Sequence, residues 1–144
     1  AVVAAMQAHR QVASVQEHGC RALCDVVLGD VACKHAVVQA GGVGAVVQAM
    51  RAQPEHRGVQ RHGCGMLCDT ATGDSHCRRS VVQSHGLQAM VSAMDLHRDS
   101  QSVQQNGTGG LCNIALGDAT CKLAVVRAGG IGAVVSAMGA HPEH

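Results

Sequence analysis

Apolar residues recur along this chain in short clusters separated by Gly and polar residues, and the clusters have helical spacing. Ala32, Cys33, Ala36 and Val37 fall at i, i+1, i+4 and i+5, which draws one stripe on a helix. The spacing predicts a first helix over 31–40. Asp30 ahead of it is a good N-cap, because its carboxylate can accept from free backbone N–H groups. Gly29 suits the end of a preceding helix, and Gly41-Gly42 close the first one. A second helix is expected over 43–52, with Val46, Val47, Ala49 and Met50 inward. A third and longest helix is expected over 54–71. Pro54 would stand in its first turn, where a missing N–H does no harm. Val59, Gly63, Met66, Leu67 and Thr70 follow helical spacing along it.

The pattern repeats. Met6, Met50, Met94 and Met138 stand 44 residues apart, as do Cys24, Cys68 and Cys112, and Asp30, Asp74 and Asp118. Each unit reads roughly A-V-V-x-A-M, V-Q-x-x-G, L-C-D/N, G-D-x-x-C-K/R and V-V-x-x-x-G. A period of about 44 lies among helical repeats. Equivalents of the second helix are expected over 1–8, 87–96 and 131–140. No linker interrupts the pattern, so residues 1–144 read as one array: full periods 1–44, 45–88 and 89–132, then a partial one, 133–144. Gly19, Gly63 and Gly107 recur within the third helix. A mid-helix Gly is unfavourable by about 1 kcal/mol against Ala, so its recurrence predicts a close neighbour that a Cβ would obstruct. Gly42, Gly86 and Gly130 match one another and are expected to serve a sharp turn.

The motifs V-Q-E-x-G-C-x-A-L-C-D at Val15 to Asp25 and G-D-x-A-C-K-x-A-V-V-Q-A-G-G-V at Gly29 to Val43 resemble the armadillo repeat family. The resemblance covers essentially the whole chain, and HEAT repeats are the structural runner-up. It implies an all-α, right-handed superhelical solenoid of three-helix repeats, whose third helices line a concave groove. In the family that helix often presents an Asn that holds the backbone of an extended peptide, with a Trp one turn earlier. The Asn position falls here on Asp25, Asp69 and Asn113, and the Trp position on Arg21, Gly65 and Gly109. Ionised Asp only accepts hydrogen bonds, whereas Asn also donates. The floor is therefore more acidic and lacks aromatic walls, which argues against recognition of a nuclear import signal. One turn earlier still stand Glu17, Arg61 and Gln105, then Ser14, Gly58 and Ser102. Polar positions that vary on a fixed scaffold suit a specific partner surface. An unused, solvated surface would show the same variation.

Composition narrows the function. The chain has no aromatic Phe, Trp or Tyr and a net charge of +1 with His neutral. It has neither a basic footprint nor rings for bases to stack on, so nucleic acid is not expected as a partner. No apolar run reaches the roughly 20 residues of a membrane span, and the first 16 residues lack signal-peptide features. Eight Cys in a helical array read as reduced thiols in the cytoplasm, with the nucleus as a second location. Cys20 and Cys24 share a helix face, as do Cys64 and Cys68, and Cys33 and Cys77 follow on the next helix. These six are the candidates for an alternative thiol-rich metal-binding or redox-sensing module. Thr108 replaces the first Cys in the third unit, which favours Cys as a small buried hydrophobe. Every polar cluster is periodic, unlike a catalytic centre, so no enzyme activity and no cofactor are expected. Neither end carries a polar cap. The array is expected to belong to a longer one or to associate end to end. The expected function is a non-catalytic scaffold for a protein or extended peptide.

Overall fold

A computed structural model describes residues 1–140, which form ten helices and no strand. The final four residues of the partial unit 133–144 lie outside the described part. The first-type helices are α3 (Val31–Gln39), α6 (Ser75–Gln83) and α9 (Ala119–Arg127). The second-type helices are α1 (Val2–Ala8), α4 (Gly42–Ala52), α7 (Gly86–Leu96) and α10 (Gly130–Ala140). The third-type helices are α2 (Ala13–Val27), α5 (Arg57–Thr70) and α8 (Gln101–Ala115). Helices of one kind stack on each other: α2 on α5 on α8, α3 on α6 on α9, and α1 on α4 on α7 on α10. The result is a three-layered α-solenoid. No single helix among the described residues is long and apolar enough to cross a membrane. The pair α9 and α10 passes that test only jointly, with a 66° bend between them.

The core forms where the three layers meet. Val46, Val47, Ala49 and Met50 of α4 are buried, and so are Val59, Gly63, Met66, Leu67 and Thr70 of α5. The recurrent mid-helix glycine has the predicted cause. A Cβ on Gly63 would fall 2.6 Å from Met50 Sδ, and one on Gly107 would fall 2.6 Å from Met94 Sδ. Methionine from the second-type helix thus fills the notch that glycine leaves in the third.

Three local expectations change. The stripe on α3 is not the predicted one: Ala32 and Ala36 are exposed, while Lys34 and Val37 are buried. Lys34 turns inward because its Nζ donates to the carbonyls of Val27 and Gly29 at the end of α2. Those carbonyls lack intrahelical partners, and a cation there complements the helix dipole. Lys122 does the same for Ala115, and Arg78 Nε donates to Asn113 O at 3.2 Å. Second, α5 starts at Arg57, not at Pro54. His56 is its N-cap, its Nδ1 accepting from the Val59 N–H, and the Pro54 carbonyl accepts instead from His97 Nε2 at 2.8 Å. Third, the sharp turn after each first-type helix is made one residue earlier than expected. Gly41, His85 and Gly129 hold φ of 79°, 62° and 81°. The matched Gly42 is there for closeness, since its Cβ would lie 2.5 Å from Val37 Cγ1.

Candidate functional site

The third-type helices form the surface on which the predicted site residues lie. Their register follows from a constant offset. Cys24 Sγ reaches Asp69 Oδ2 at 3.7 Å, Asn113 Nδ2 donates to Cys68 O at 3.1 Å, and Asn106 Nδ2 lies 3.4 Å from Arg61 O. All three pairs are 45 residues apart, and Gly58 meets Glu17 as Gly65 meets Cys24, each 41 apart, so α2, α5 and α8 run parallel. Each helix is anchored from below by a Gln of the V-Q-x-x-G motif. Gln60 Nε2 donates to Met50 O at 3.0 Å and to Gln53 O at 2.9 Å, closing the C-terminal end of α4. Gln16 and Gln104 repeat the bridge at α1 and α7. The motif was visible in the sequence, but periodicity alone could not show that its Gln is buried and capping a neighbouring helix.

The predicted ladder divides. Asp25, Arg21, Arg61 and Gln105 are exposed. Asp69 and Asn113 are half-buried and turned onto the preceding third-type helix. Burial raises the Asp69 carboxyl, and the thiol of Cys24 partly offsets this. Gly65 and Gly109 explain why the family's Trp position is vacant. A Cβ on Gly65 would meet Asn106 Nδ2 at 3.3 Å and Cys24 Sγ at 3.4 Å, and one on Gly109 would meet Cys68 Sγ at 3.1 Å. Those positions are contact points between adjacent helices. Glu17 is half-buried, lies against the face where Gly58 has no side chain, and stands 3.6 Å from His56 Nε2. His62 sits among Arg61, Glu17, Arg21 and Asp25, and burial followed by the Arg61 charge lowers its pKa. The surface is of mixed sign, with Arg21 and Arg61 set among Glu17, Asp25 and Asp69. At its far end Gln105, Gly109 and Cys112 of α8 border a cleft of about 340 Å³ shared with Ala137 and Met138 of α10.

Most of the thiols are buried or half-buried, and Cys112 is exposed. Cys20 and Cys64 are fully buried, and burial pushes both up to about 12. Burial and then the Asp69 charge hold Cys24 at about 12, and Cys68 is raised to about 11, mainly by burial. Thr108 occupies the slot of Cys20 and Cys64, and its buried hydroxyl has no hydrogen-bond partner among the described residues. Cys20, Cys24 and Cys33 do not gather into a three-ligand group, nor do Cys64, Cys68 and Cys77. Among the described residues the one such group is His35, Asp74 and Cys77.

Comparison with solved structures places this arrangement. An engineered protein solved as a structural-genomics target superposes with a TM-score of 0.81 at 25% identity, covering 95% of this chain and 53% of its own. A designed armadillo repeat protein in complex with the peptide (KR)4 gives 0.77 at 17% identity, covering 87% of this chain and 51% of its own. A second designed armadillo repeat protein gives 0.74 at 18% identity, covering 88% and 56%. The fold is armadillo-like. This chain spans about half the length of these structures. No protein-family model and no curated protein matches it.

Proposed function

We propose that this armadillo-like array is a non-catalytic scaffold that binds an extended protein or peptide segment along the groove of α2, α5 and α8. Arg21, Asp25, Arg61 and Gln105 would face the bound segment, with the half-buried Glu17, Asp69 and Asn113 forming the floor between them. One observation carries the reading. The buried positions of the three helices repeat from unit to unit (Gln16, Gln60, Gln104; Gly19, Gly63, Gly107), while the positions next to them change from half-buried Glu17 to exposed Arg61 and Gln105. A fixed frame with varying exposed chemistry gives each rung a different side-chain preference along one strand of partner. A structural neighbour of 17% identity is a designed repeat protein in complex with a basic peptide, which supports peptide binding by this architecture. Here Arg21 and Arg61 interrupt the acidic residues, so the favoured segment carries both signs of charge. Cys20, Cys24, Cys64 and Cys68, whose thiols hold their protons, suit a reducing compartment, the cytoplasm or nucleus, and they disfavour the redox-sensing alternative because the thiolate is the reactive form.

Display of a library of extended natural peptides tests the groove. Selected peptides should share a charge pattern, and should bind at least tenfold more weakly to a variant carrying Arg21→Glu and Arg61→Glu. These two side chains are exposed, so helicity should be unchanged. Equal binding to both proteins, or failure to select any peptide, would remove the groove from consideration.

A second surface points to end-to-end association. Ile131, Val135 and Met138 of α10 are exposed, whereas Val43, Val47 and Met50 at the same places in α4 are buried. A contiguous apolar face of this kind takes a further unit or a second copy. Sedimentation should show association that rises with concentration and disappears in Ile131→Lys. A monomer at every concentration would refute it.

A further inference from the structure

One junction between first-type helices differs chemically from the other. All three helices open with a capping Asp three residues before a Cys. The carboxylates of Asp30, Asp74 and Asp118 accept from the backbone N–H of Cys33, Cys77 and Cys121 at 2.9, 3.0 and 3.0 Å. What varies is the residue that the preceding first-type helix brings to this pair. Where α6 meets α9 it is Arg79, acting on Asp118 through its charge. Where α3 meets α6 it is His35, whose Nε2 lies 2.7 Å from Asp74 Oδ2. His35, Asp74 and the buried Cys77 each offer a ligand atom, and these atoms all lie within 4.8 Å of one another. His76 sets its ring edge-on to that of His35, with centroids 5.4 Å apart. The positions matching His76 are Ala32 and Thr120, and those matching His35 are Arg79 and Leu123. Both histidines are therefore departures from the repeat, and both occur at the same junction.

We propose that His35, Asp74 and Cys77 form a binding site for a borderline divalent cation of the zinc type, with the His76 ring packed edge-on against that of His35. The donor set of imidazole nitrogen, carboxylate oxygen and thiolate sulfur is the one such ions take. A tetrahedral ion at about 2.0–2.3 Å from each ligand sets the ligand atoms about 3.3–3.7 Å apart. The His35–Asp74 contact, at 2.7 Å, opens by about half an ångström to admit it, and the contacts to Cys77, all within 4.8 Å, close by no more than about one. The chemistry balances at each group. Asp74 coordinates as the carboxylate. His35 coordinates through Nε2 as the neutral ring with its proton on Nδ1. Cys77 releases its S–H proton to the buffer as the metal–sulfur bond forms. The neighbouring cation, Lys34, has its Nζ engaged on the carbonyls of Val27 and Gly29. Without metal, the exposed His35–Asp74 pair contributes little to stability, so two unshared histidines would otherwise have no evident return. The site lies on the first-type layer, away from the proposed groove, so its test is independent of peptide binding.

Cobalt(II) is the probe, added to the intact, reduced chain. The wild type should bind one equivalent, with the visible bands of tetrahedral Co²⁺ and a sulfur-to-cobalt charge-transfer band, and Zn²⁺ should displace it. Cys77→Ser should abolish the charge-transfer band. Because Cys77 is buried and its replacement could unfold the protein, His35→Arg provides the second variant. It restores the residue type of Arg79 and keeps an ion-pair partner for Asp74. It should fold with unchanged helicity and bind Co²⁺ at least about tenfold more weakly. A charge-transfer band of undiminished affinity in His35→Arg would place the metal on other thiols and overturn the proposal. So would the absence of saturable binding in the wild type.

Discussion

Gly63→Ala examines the notch between layers. The new Cβ would sit 2.6 Å from Met50 Sδ and 2.7 Å from Met50 Cγ, where carbon contacts normally settle at about 3.5–4.0 Å. Met50 is 3% exposed. Overpacking of this kind is destabilising by about 1–3 kcal/mol. Replacing a mid-helix Gly by Ala returns about 1 kcal/mol of helix propensity. The expected net effect is a loss of about 1 kcal/mol, or about 3 °C in melting temperature for a chain of this size. Met50→Ala alone should be destabilising by about 2–5 kcal/mol through the cavity it leaves. In that background the clash is gone, and Gly63→Ala should become stabilising by about 1 kcal/mol. The coupling between the two sites is therefore about 2 kcal/mol, well beyond the tolerance expected of independent positions. Urea unfolding of the four proteins, followed by circular dichroism, measures it. A Gly63→Ala effect of the same sign and size in both backgrounds would show that Met50 and the new Cβ do not clash.

Three further outcomes are expected. Gln60→Leu keeps the volume but strips the donor from Met50 O and Gln53 O; leaving these carbonyls unpaired should destabilise by about 2 kcal/mol in urea unfolding, and a change under about 0.5 kcal/mol would show that water replaces the bridge. His85 holds a left-handed φ of 62° where the matching residues are Gly41 and Gly129, so His85→Gly should raise stability by about 1 kcal/mol, and a lower melting temperature would count against it. Asp118 is held below the ordinary carboxylate value by the Cys121 N–H. Its contribution is therefore complete above that value, near 3.8, and is lost as pH falls through the lower folded value. Asp118→Asn keeps an acceptor but cannot titrate, so a stability profile below pH about 4 should fall less steeply than that of the wild type.

Much of this molecule is readable from the chain because each unit buries the same positions. The 44-residue step, the helix types, the Asp N-caps and the inward faces of α4 and α5 all express local rules of spacing and capping. The recurrent Gly63 announced a close neighbour, although not which one. Partners across layers were not legible. Met50 and Gly63 lie on different helices, and no local rule pairs them before the layers stack. Lys34 carries no apolar signal, and only the unsatisfied carbonyls at the end of α2 draw it inward. Asp25 and Asp69 occupy one repeat position, but Asp69 turns onto α2, the preceding third-type helix, whereas Asp25 has none of the described ones before it. His35 and Asp74 are 39 residues apart and meet because first-type helices stack at a constant step. The repeat and its helices are legible along the chain, since they follow from contacts within a few residues. Which polar side chains meet is set by the stacking of successive units, which no local spacing encodes.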